Sequence, residues 1–378
     1  MARSIKQVVG HGPRPALEEE HLAHPSLNTK GRGSLTNASG RFESEHRVVV
    51  DDGWGSLDEE PAALKTTVGI DATRTIIARN ESPDLSFDRS INPYRGCEHG
   101  CIYCFARPTH AYLGLSPGQD FESRLFAKPN AARLLAEELS KPNYSVRTMA
   151  LGTNTDPYQP IDERYQITRQ ILHVLREFKH PVGIVTKSNR VLRDLDILSD
   201  MASMGLARVA LSVTTLDRSL ARSMEPRAPT PERRIEALRK LSEAGVPTTV
   251  MAAPMIPALN DHEMEKILEA ARDAGAKHAA FVLLRLPLEI KDLFREWLQA
   301  REPGRAAHVM SLIRSMRGGR DYDSQWGRRM KGTGPYAQMM AKRFRVACER
   351  LRLNEESVEL RTDLFKPPPR AGDQMRLL

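Results

Sequence analysis

The sequence predicts an α/β fold: a partial, open (β/α)6 barrel with an N-terminal extension and a helical, basic C-terminal region. Five short apolar runs have the length and composition of strands that are buried on both faces. Helical patterns separate these runs, which implies a parallel sheet with right-handed crossovers. With one more strand expected just before Cys97, there are about six units, fewer than the eight of a closed barrel. The five runs are Thr148–Leu151, Val182–Thr186, Ala207–Val213, Thr248–Ala253 and Ala279–Leu284.

Signals for helix ends lie between the predicted strands. Asp162 precedes apolar residues spaced along one helix face, so it is predicted to cap that helix. Thr230-Pro231 predicts an N-cap followed by proline at the first helical position. Asn260 and Glu263 have the spacing of a capping box. Three glycines stand where the preceding helix is expected to end, namely Gly205, Gly245 and Gly275.

Composition divides the chain into four parts. Residues 1–65 are rich in Gly, Ser, Pro and charge, which predicts a poorly ordered extension with one short strand at His46–Val50. Residues 66–290 hold the predicted barrel. Residues 291–366 are expected to form the basic helical region, and residues 367–378 form a proline-rich tail.

Charge is concentrated at one end of the chain. The formal net charge is +8, and residues 301–378 hold 17 Lys and Arg against 9 Asp and Glu. A basic C-terminal fifth on a neutral body is typical of a protein with a nucleic-acid or acidic partner, and equally of a solvated arginine-rich surface. We expect no membrane span, because no run of about 18 apolar residues occurs. The N-terminus lacks the apolar core of a secretory signal, so a cytoplasmic location with reduced thiols is expected.

The cysteines are distributed unevenly. Cys97, Cys101 and Cys104 fall within eight residues, and Cys348 stands alone. Such crowding suits a metal site better than a disulfide framework. The C-x3-C-x2-C spacing lets three thiolates hold three irons of a cubic cluster and leaves the fourth iron open, as in reactive metal sites. Glycines beside the first two cysteines allow the tight turns that such a loop needs.

A structural zinc protein that binds nucleic acid is the alternative to an iron–sulfur enzyme. In that case the three cysteines would be joined by His99, His110 or Cys348. Structural zinc sites usually pair two C-x2-C-type halves, and His99 lies between two of the cysteines. These features favour the iron–sulfur interpretation.

The run INPYRGCEHGCIYCFARPTH resembles the radical SAM superfamily, whose signature is this cysteine spacing with an aromatic residue just before the last cysteine. Tyr103 is that aromatic residue. Together with LGTNTDPYQP, the run resembles the branch that includes spore photoproduct lyase and its uncharacterised relatives. The resemblance extends roughly from Asp71 to Leu286.

This resemblance implies a radical SAM barrel and a [4Fe–4S] cluster bound by Cys97, Cys101 and Cys104. It implies an enzyme that reductively cleaves S-adenosylmethionine to a 5′-deoxyadenosyl radical, which abstracts hydrogen from a substrate. Nucleic acid is one candidate substrate and DNA repair one candidate setting. An electron donor such as flavodoxin or ferredoxin is the implied partner. An inactive barrel that recruits DNA-maintenance factors is a further alternative.

Candidate cofactor ligands follow the predicted strands, where catalytic groups of barrel-like folds cluster. By resemblance, Asn154 or Asp156 holds the methionine amino group of S-adenosylmethionine. An Asx-turn before Pro157 explains the same residues structurally. Lys187 is expected to pair with the methionine carboxylate, because a lysine that only began a helix would oppose the helix dipole.

Three more residues complete the predicted cofactor site. Ser188 is expected to act mainly as the N-cap of the next helix. Ser212 resembles the strand-end residue that reaches the ribose in this superfamily. Ile256 would pack against the adenine, although an apolar residue at that place also suits the core.

The candidate catalytic residues are Tyr103, Arg227 and Tyr322. Arg227 is expected near the barrel mouth, where it would bind a substrate carboxylate or phosphate or lie on the surface, and Arg285 has the same alternatives. Residues 317–334, rich in Gly, Arg and aromatics, predict a flap over the pocket, a nucleic-acid contact or a plain inter-helical loop. Candidate contacts in this segment are Arg320, Tyr322, Trp326 and Arg328.

The cysteines outside the cluster motif bear on the chemistry. Spore photoproduct lyases carry a further cysteine that relays a hydrogen atom, but none occurs here between Cys104 and Cys348. The pattern FRVACERL predicts that Cys348 is a buried apolar residue of a helix.

The last five residues resemble the Q-L-x-L-F peptide that docks bacterial repair and replication proteins on the DNA sliding clamp. An unstructured tail is the alternative, since five-residue motifs arise often by chance. A preceding proline run would hold the peptide away from the body. The candidate clamp contacts are Gln374, Met375, Leu377 and Leu378.

Overall fold

The computed structural model describes residues 30–43 and 64–368. Its strands are β1 (Thr67–Ile70), β2 (Ile77–Arg79), β3 (Arg89–Ile91), β4 (Tyr94–Arg95), β5 (Arg124–Ala127), β6 (Met149–Leu151), β7 (Val182–Thr186), β8 (Ala207–Ser212), β9 (Thr248–Met255) and β10 (His278–Leu283). Its α-helices are α1 (Asp120–Ser123), α2 (Ala131–Leu139), α3 (Asp162–Tyr165), α4 (Ile167–Glu177), α5 (Leu195–Ser203), α6 (Arg218–Met224), α7 (Pro231–Glu243), α8 (Met264–Asp273), α9 (Ile290–Arg301), α10 (Pro303–Ser315) and α11 (Gly334–Leu351). Among the residues described, no helix has both the length and the apolar character that a membrane crossing needs.

The main sheet has seven strands in the spatial order β10-β9-β8-β7-β6-β3-β2. Strand β2 is antiparallel to β3, and every other neighbouring pair is parallel. Six parallel strands in an open arrangement confirm the predicted fold class. The expected strand before Cys97 is β3. The other five expected strands lie within two residues of the observed limits, and Val182–Thr186 matches at both ends.

The predicted helix signals have mixed outcomes. The helix expected after Asp162 is divided in two, because Gln166 between α3 and α4 adopts φ 49°. Asp162 still caps the second part, since its carboxylate accepts the backbone N–H of Thr168 at 3.1 Å. Helix α7 starts at Pro231 as predicted. The glycines expected at helix ends have φ of 72°, 76° and 92°, the left-handed conformation of a helix C-cap.

The predicted capping box is wrong. The Asn260 side chain accepts the Ile256 N–H at 2.6 Å and donates to the Thr214 carbonyl at 2.7 Å. Glu263 accepts the backbone N–H of Leu216 at 3.3 Å. Both side chains therefore join loops at the carboxyl ends of β8 and β9, and tertiary contacts outweigh the local motif.

The two larger apolar clusters differ in their relation to the cysteines. The larger one packs the sheet against the surrounding helices and includes Cys348, which is 6% exposed, as predicted. The second combines Cys101, Ile102 and Tyr103 with residues of α9 and α10 such as Trp297. The C-terminal helices therefore support the segment that carries the clustered cysteines.

Residues 30–43 depart from the poor order expected of the N-terminal extension. Arg32 and Ser34 are buried. Thr36 donates to Glu296 at 2.8 Å, and Asn37 donates to Asp120 at 3.0 Å. The segment is held by hydrogen bonds, so no apolar periodicity marks it in the sequence. The expected strand at His46–Val50 and the four candidate clamp contacts lie outside the described residues.

The raised pKa of Glu296 should make the free energy of unfolding depend on pH. Burial raises the pKa of Glu296 to about 7, above the value of about 4.3 for an unfolded glutamate. A raised folded pKa gives stability that is full at low pH and is lost as pH rises through the folded pKa. From pH 5 to pH 8, the unfolding free energy of wild type should therefore fall relative to that of Glu296→Gln. Urea denaturation at both pH values measures this, and a difference that stays constant would contradict it.

Candidate functional site

The cysteine loop, residues 96–105, has a conformation that requires glycine at two positions. Gly96 and Gly100 have φ of 74° and 66°. A Cβ on Gly96 would lie 2.8 Å from the carbonyl oxygen of Phe121, and one on Gly100 would lie 2.6 Å from a carboxylate oxygen of Glu122. Contacts this close exclude a side chain, so both tight turns depend on glycine.

Arg107 fixes the backbone of this loop from inside the protein. Its guanidinium is fully buried and donates to the carbonyls of Gly100 and Cys101, each at 2.9 Å. It also donates to the Gly118 carbonyl at 2.8 Å and pairs with the Glu122 carboxylate. Because these partners belong to the protein, they position the cysteines whether or not a metal is bound.

Glu122 connects the cysteine loop to the N-terminal segment. Its two carboxylate oxygens accept the N–H groups of Gly33 and Ser34, each at 2.9 Å. Gly33 packs against the Gly100 carbonyl so closely that a side chain there would overlap it. Arg32 donates to the Glu122 carbonyl at 2.7 Å. Sequence reasoning missed these residues, although R-P-T-H directly after the cysteine motif and the isolated G-R-G-S were available signals.

The setting of the three cysteines fits ligation to a metal centre. Cys97 and Cys101 are each 7% exposed, and Cys104 is more exposed. Burial raises the pKa of Cys97, and the neighbouring charges of Asp156, Cys101 and Cys104 raise it further. Ligation to a cationic metal cluster would offset this cost of forming adjacent thiolates. Thiolates that bind three different irons of a cubane need not converge on one point.

The zinc alternative is not supported by the arrangement of its candidate ligands. Over residues 30–43 and 64–368, no group of three or more His, Cys, Asp or Glu side chains is arranged to hold a metal ion. His110 bonds through Nε2 to the Arg124 carbonyl at 2.9 Å, and Cys348 packs in the other apolar cluster. Neither completes a tetrahedral set with the clustered cysteines.

Asp156 is saturated with hydrogen bonds from its surroundings. It accepts the Thr186 hydroxyl at 2.7 Å and the backbone N–H groups of Tyr158 at 2.9 Å and Lys187 at 2.8 Å. The bond from Tyr158 is the Asx-turn expected as the structural explanation. Burial alone would raise the pKa of Asp156, but His99 with Nδ1 at 3.4 Å and these bonds lower it to about 2.

Asn154 differs from Asp156 in having a free side chain. Its backbone N–H donates to Asn92 Oδ1 at 3.1 Å, which fixes the loop. Its side-chain amide has no hydrogen-bond partner among the described residues. Of the two residues predicted to hold the methionine amino group, Asn154 therefore has the available acceptor.

Lys187 places a cation over the cysteine loop. Its Nζ lies 5.5 Å from the centroid of the Tyr103 ring, and its charge lowers the pKa of Cys101, although burial and Glu225 raise that pKa overall. Within the described part of the chain, no carboxylate forms an ion pair with Lys187. Its ammonium is therefore available to an anionic ligand.

The other predicted cofactor residues lie around the same strand ends. Ser188 caps the 3-10 helix Asn189–Asp194 through a bond from the Arg190 N–H at 3.2 Å, as expected. Ser212 ends β8 and is 5% exposed. Ile256 is fully buried in the apolar cluster that contains Cys101.

Tyr103 is tied into a buried polar network. Its hydroxyl lies 3.1 Å from Thr214 Oγ1 and donates to the Glu225 carboxylate. Glu225 in turn pairs with Arg234, whose guanidinium also donates to the Ser212 carbonyl at 3.2 Å. Because its hydroxyl is engaged, Tyr103 is better placed to position the cysteine loop than to react with a substrate.

Arg227 and Tyr322, the other two catalytic candidates, lie in different settings. Arg227 pairs with Glu98 of the cysteine loop at 2.7 Å and donates to Thr66 at 3.3 Å. It therefore ties the segment after α6 to the loop. Tyr322 is partly buried in the segment between α10 and α11.

Replacement of Glu122 tests the support of the cysteine loop. Glu122→Gln leaves the charge of Arg107 buried without its counter-ion, which should lower the free energy of unfolding by about 3–5 kcal/mol. Glu137→Gln is the control, because Glu137 and Arg133 form an exposed pair within one helix turn and its loss should cost about 0.5 kcal/mol or less. Urea denaturation measures both, and equally small losses would contradict the assigned role.

The chain is similar to several known proteins. A family model described as Radical SAM superfamily matches residues 91–271. An uncharacterized protein of Mycobacterium tuberculosis is 36% identical over 242 residues, which are 63% of this chain and 71% of the relative. An uncharacterized protein of Methanocaldococcus jannaschii is 31% identical over 173 residues, 46% of this chain and 62% of the relative.

Solved structures of spore photoproduct lyase share the fold. One variant has a TM-score of 0.55 at 17% identity and covers 75% of this chain and 78% of its own. Another, with bound AdoMet and dinucleoside spore photoproduct, has a TM-score of 0.54 at 16% identity and the same coverage. Radical SAM proteins use a [4Fe–4S] cluster, S-adenosylmethionine and a reductant. The chain belongs to the radical SAM superfamily, and its cofactors are a [4Fe–4S] cluster and S-adenosylmethionine.

Proposed function

We propose that this chain is an iron–sulfur enzyme in which Cys97, Cys101 and Cys104 bind the cluster and leave one iron open for S-adenosylmethionine. The observation that carries the proposal is the cysteine loop itself, whose backbone is held by Arg107 and two obligatory glycines. When bound and reduced, the cluster supplies the electron that splits S-adenosylmethionine to methionine and a 5′-deoxyadenosyl radical, which removes hydrogen from the substrate. The reductant is a small donor protein such as flavodoxin or ferredoxin.

Side chains at the carboxyl ends of β6 to β9 hold the cofactor in this proposal. Lys187 pairs with the methionine carboxylate, since its ammonium has no carboxylate partner among the described residues. Asn154 accepts from the methionine amino group, while Asp156 positions Lys187 through its backbone. Ser212 contacts the ribose. Ile256 packs against the adenine and excludes water, since it belongs to the apolar cluster beside Cys101.

The residues predicted as catalytic take more specific parts. Tyr103 and Arg227 act as positioning residues, because each ties the cysteine loop to the segments around α6. Tyr322, in the segment that follows α10, is assigned a contact with the substrate in this proposal. Nucleic acid is the substrate class that we favour, supported by the basic C-terminal fifth and by the dinucleoside in a structure of similar fold.

The ligand assignment is tested by cysteine replacement. Cys97→Ala, Cys101→Ala and Cys104→Ala should each abolish cluster assembly and leave the barrel folded, because the loop lies outside the main core. Anaerobic reconstitution should give about four irons per chain in wild type. Cys348→Ala is the control and should retain the iron, since Cys348 lies in the other apolar cluster.

Iron analysis together with product analysis separates the competing functions. With dithionite and S-adenosylmethionine, wild type should slowly release 5′-deoxyadenosine even without substrate. A triple-cysteine variant that keeps full iron content would refute the ligand assignment. An intact cluster without any 5′-deoxyadenosine would favour the inactive barrel.

Replacement of Lys187 tests the cofactor site. Lys187→Ala should weaken S-adenosylmethionine binding by about 1.5–3 kcal/mol, the range for a hydrogen bond to a charged group. Lys240→Ala is the control, because the Lys240 side chain is 53% exposed on α7, and its affinity should match wild type. Equilibrium dialysis with the cluster-loaded protein measures both, and equal affinity in the two variants would exclude the proposed role.

A further inference from the structure

We propose that Arg285, Phe105 and the arginine-rich loop, residues 317–334, form a binding site for the phosphate backbone of single-stranded nucleic acid beside the cysteine loop. This inference deepens the proposed function, on which it rests for the substrate's place next to the reacting centre. It assigns recognition of that substrate class to named residues.

Arg285 is a cation without an oxygen partner. It follows β10, and its Cζ lies 4.2 Å from the centroid of the Phe105 ring, one residue after Cys104. Its one hydrogen bond among the described residues goes to the thioether sulfur of Met330, at 3.2 Å. A guanidinium has five N–H donors, and a thioether is a weak acceptor. The remaining donors suit a ligand with several anionic oxygens, such as a phosphate.

A second arginine lies close to the first and also forms no ion pair within the described part of the chain. Arg317 is 2% exposed and donates to the carbonyls of Leu284 and Arg328, each at 2.8 Å. Its Nε is buried without a partner. Arg285 lowers the pKa of Arg317 in addition to the effect of burial. Arg317 thus joins the arginine-rich loop to the end of β10 and adds a positive charge that no carboxylate of the described residues pairs.

The acidic groups nearby are engaged with other arginines. Asp84 pairs with Arg329 at 2.6 Å and accepts the Gly327 N–H at 2.6 Å. Asp323 lies 3.6 Å from Arg328. Neither carboxylate forms an ion pair with Arg285 or Arg317. Four arginines therefore meet two carboxylates here, and the site carries an excess of positive charge.

Two aromatic side chains are exposed, one under Arg285 and one on the arginine-rich loop. Phe105 is 44% exposed and Trp326 is 61% exposed. The arginine-rich loop has five Arg and Lys residues against two Asp residues, with Arg320 and Lys331 exposed. Cations that track a backbone and aromatic rings that stack on bases are the two parts of single-strand recognition. An acidic peptide would use the cations and leave the rings without a stacking partner.

Oligonucleotide binding tests the site. We would titrate the cluster-loaded full chain against a fluorescent single strand of about 15 nucleotides, enough to span a typical binding site, and follow anisotropy at low and high salt. Arg285→Gln and Trp326→Ala should each raise the Kd by about tenfold or more. Arg345→Gln is the matched control, with a side chain 69% exposed on α11, and should change the Kd by less than about twofold.

Several outcomes would overturn the proposal. One is an equal effect of Arg285→Gln and Arg345→Gln, since binding would then reflect general surface charge. Another is an affinity for polyglutamate of matched length that equals the affinity for the oligonucleotide. If Arg285→Gln fails to fold, as judged by its thermal transition, the exposed Trp326→Ala variant decides alone, and unchanged binding there refutes the site.

The test also distinguishes this inference from the proposed function. Release of 5′-deoxyadenosine without oligonucleotide binding would refute only the nucleic-acid site. Oligonucleotide binding that depends on Arg285, in a protein that assembles no cluster, would refute the enzymatic proposal and leave the site in place.

Discussion

The buried ion pair between Arg107 and Glu122 is the interaction on which the cysteine loop depends. Both side chains are fully buried, and such a pair is costly to desolvate unless its remaining hydrogen bonds are also made. Here the guanidinium meets backbone carbonyls of the loop, and the carboxylate meets two N–H groups of the N-terminal segment. We therefore interpret the pair as a determinant of loop geometry, which sets the positions of the cysteines.

The two faces of the cysteine loop are unlike. One face is contacted by the N-terminal segment, with Gly33 against the Gly100 carbonyl. The other carries the more exposed Cys104, flanked by two aromatic rings with a cation over each. Lys187 over Tyr103 and Arg285 over Phe105 are both free of carboxylate partners in the described chain. This division suggests one cation for the cofactor and the other for the substrate.

Much of the fold was predictable, because local patterns determine it. Short apolar runs and helix-ending glycines located the parallel strands and the turns between them. The capping box failed because Asn260 bonds to loops after two different strands. The Arg107–Glu122 hub was missed for the same kind of reason. Its partners lie up to 90 residues apart, and no period or spacing relates them.

In the candidate site too, sequence spacing predicts some features, and contacts between distant residues determine the others. The ligand spacing is local, so the three cysteines could be proposed from the sequence. The state of each polar group depends on its neighbours in space. From the sequence, Asp156 and Asn154 are equally good candidates to bind the methionine amino group. In the structure the Asp156 carboxylate is saturated with hydrogen bonds, whereas the Asn154 side-chain amide has no partner among the described residues. Tyr103 likewise changes from a catalytic candidate to a positioning residue because of Glu225, which lies 122 residues away.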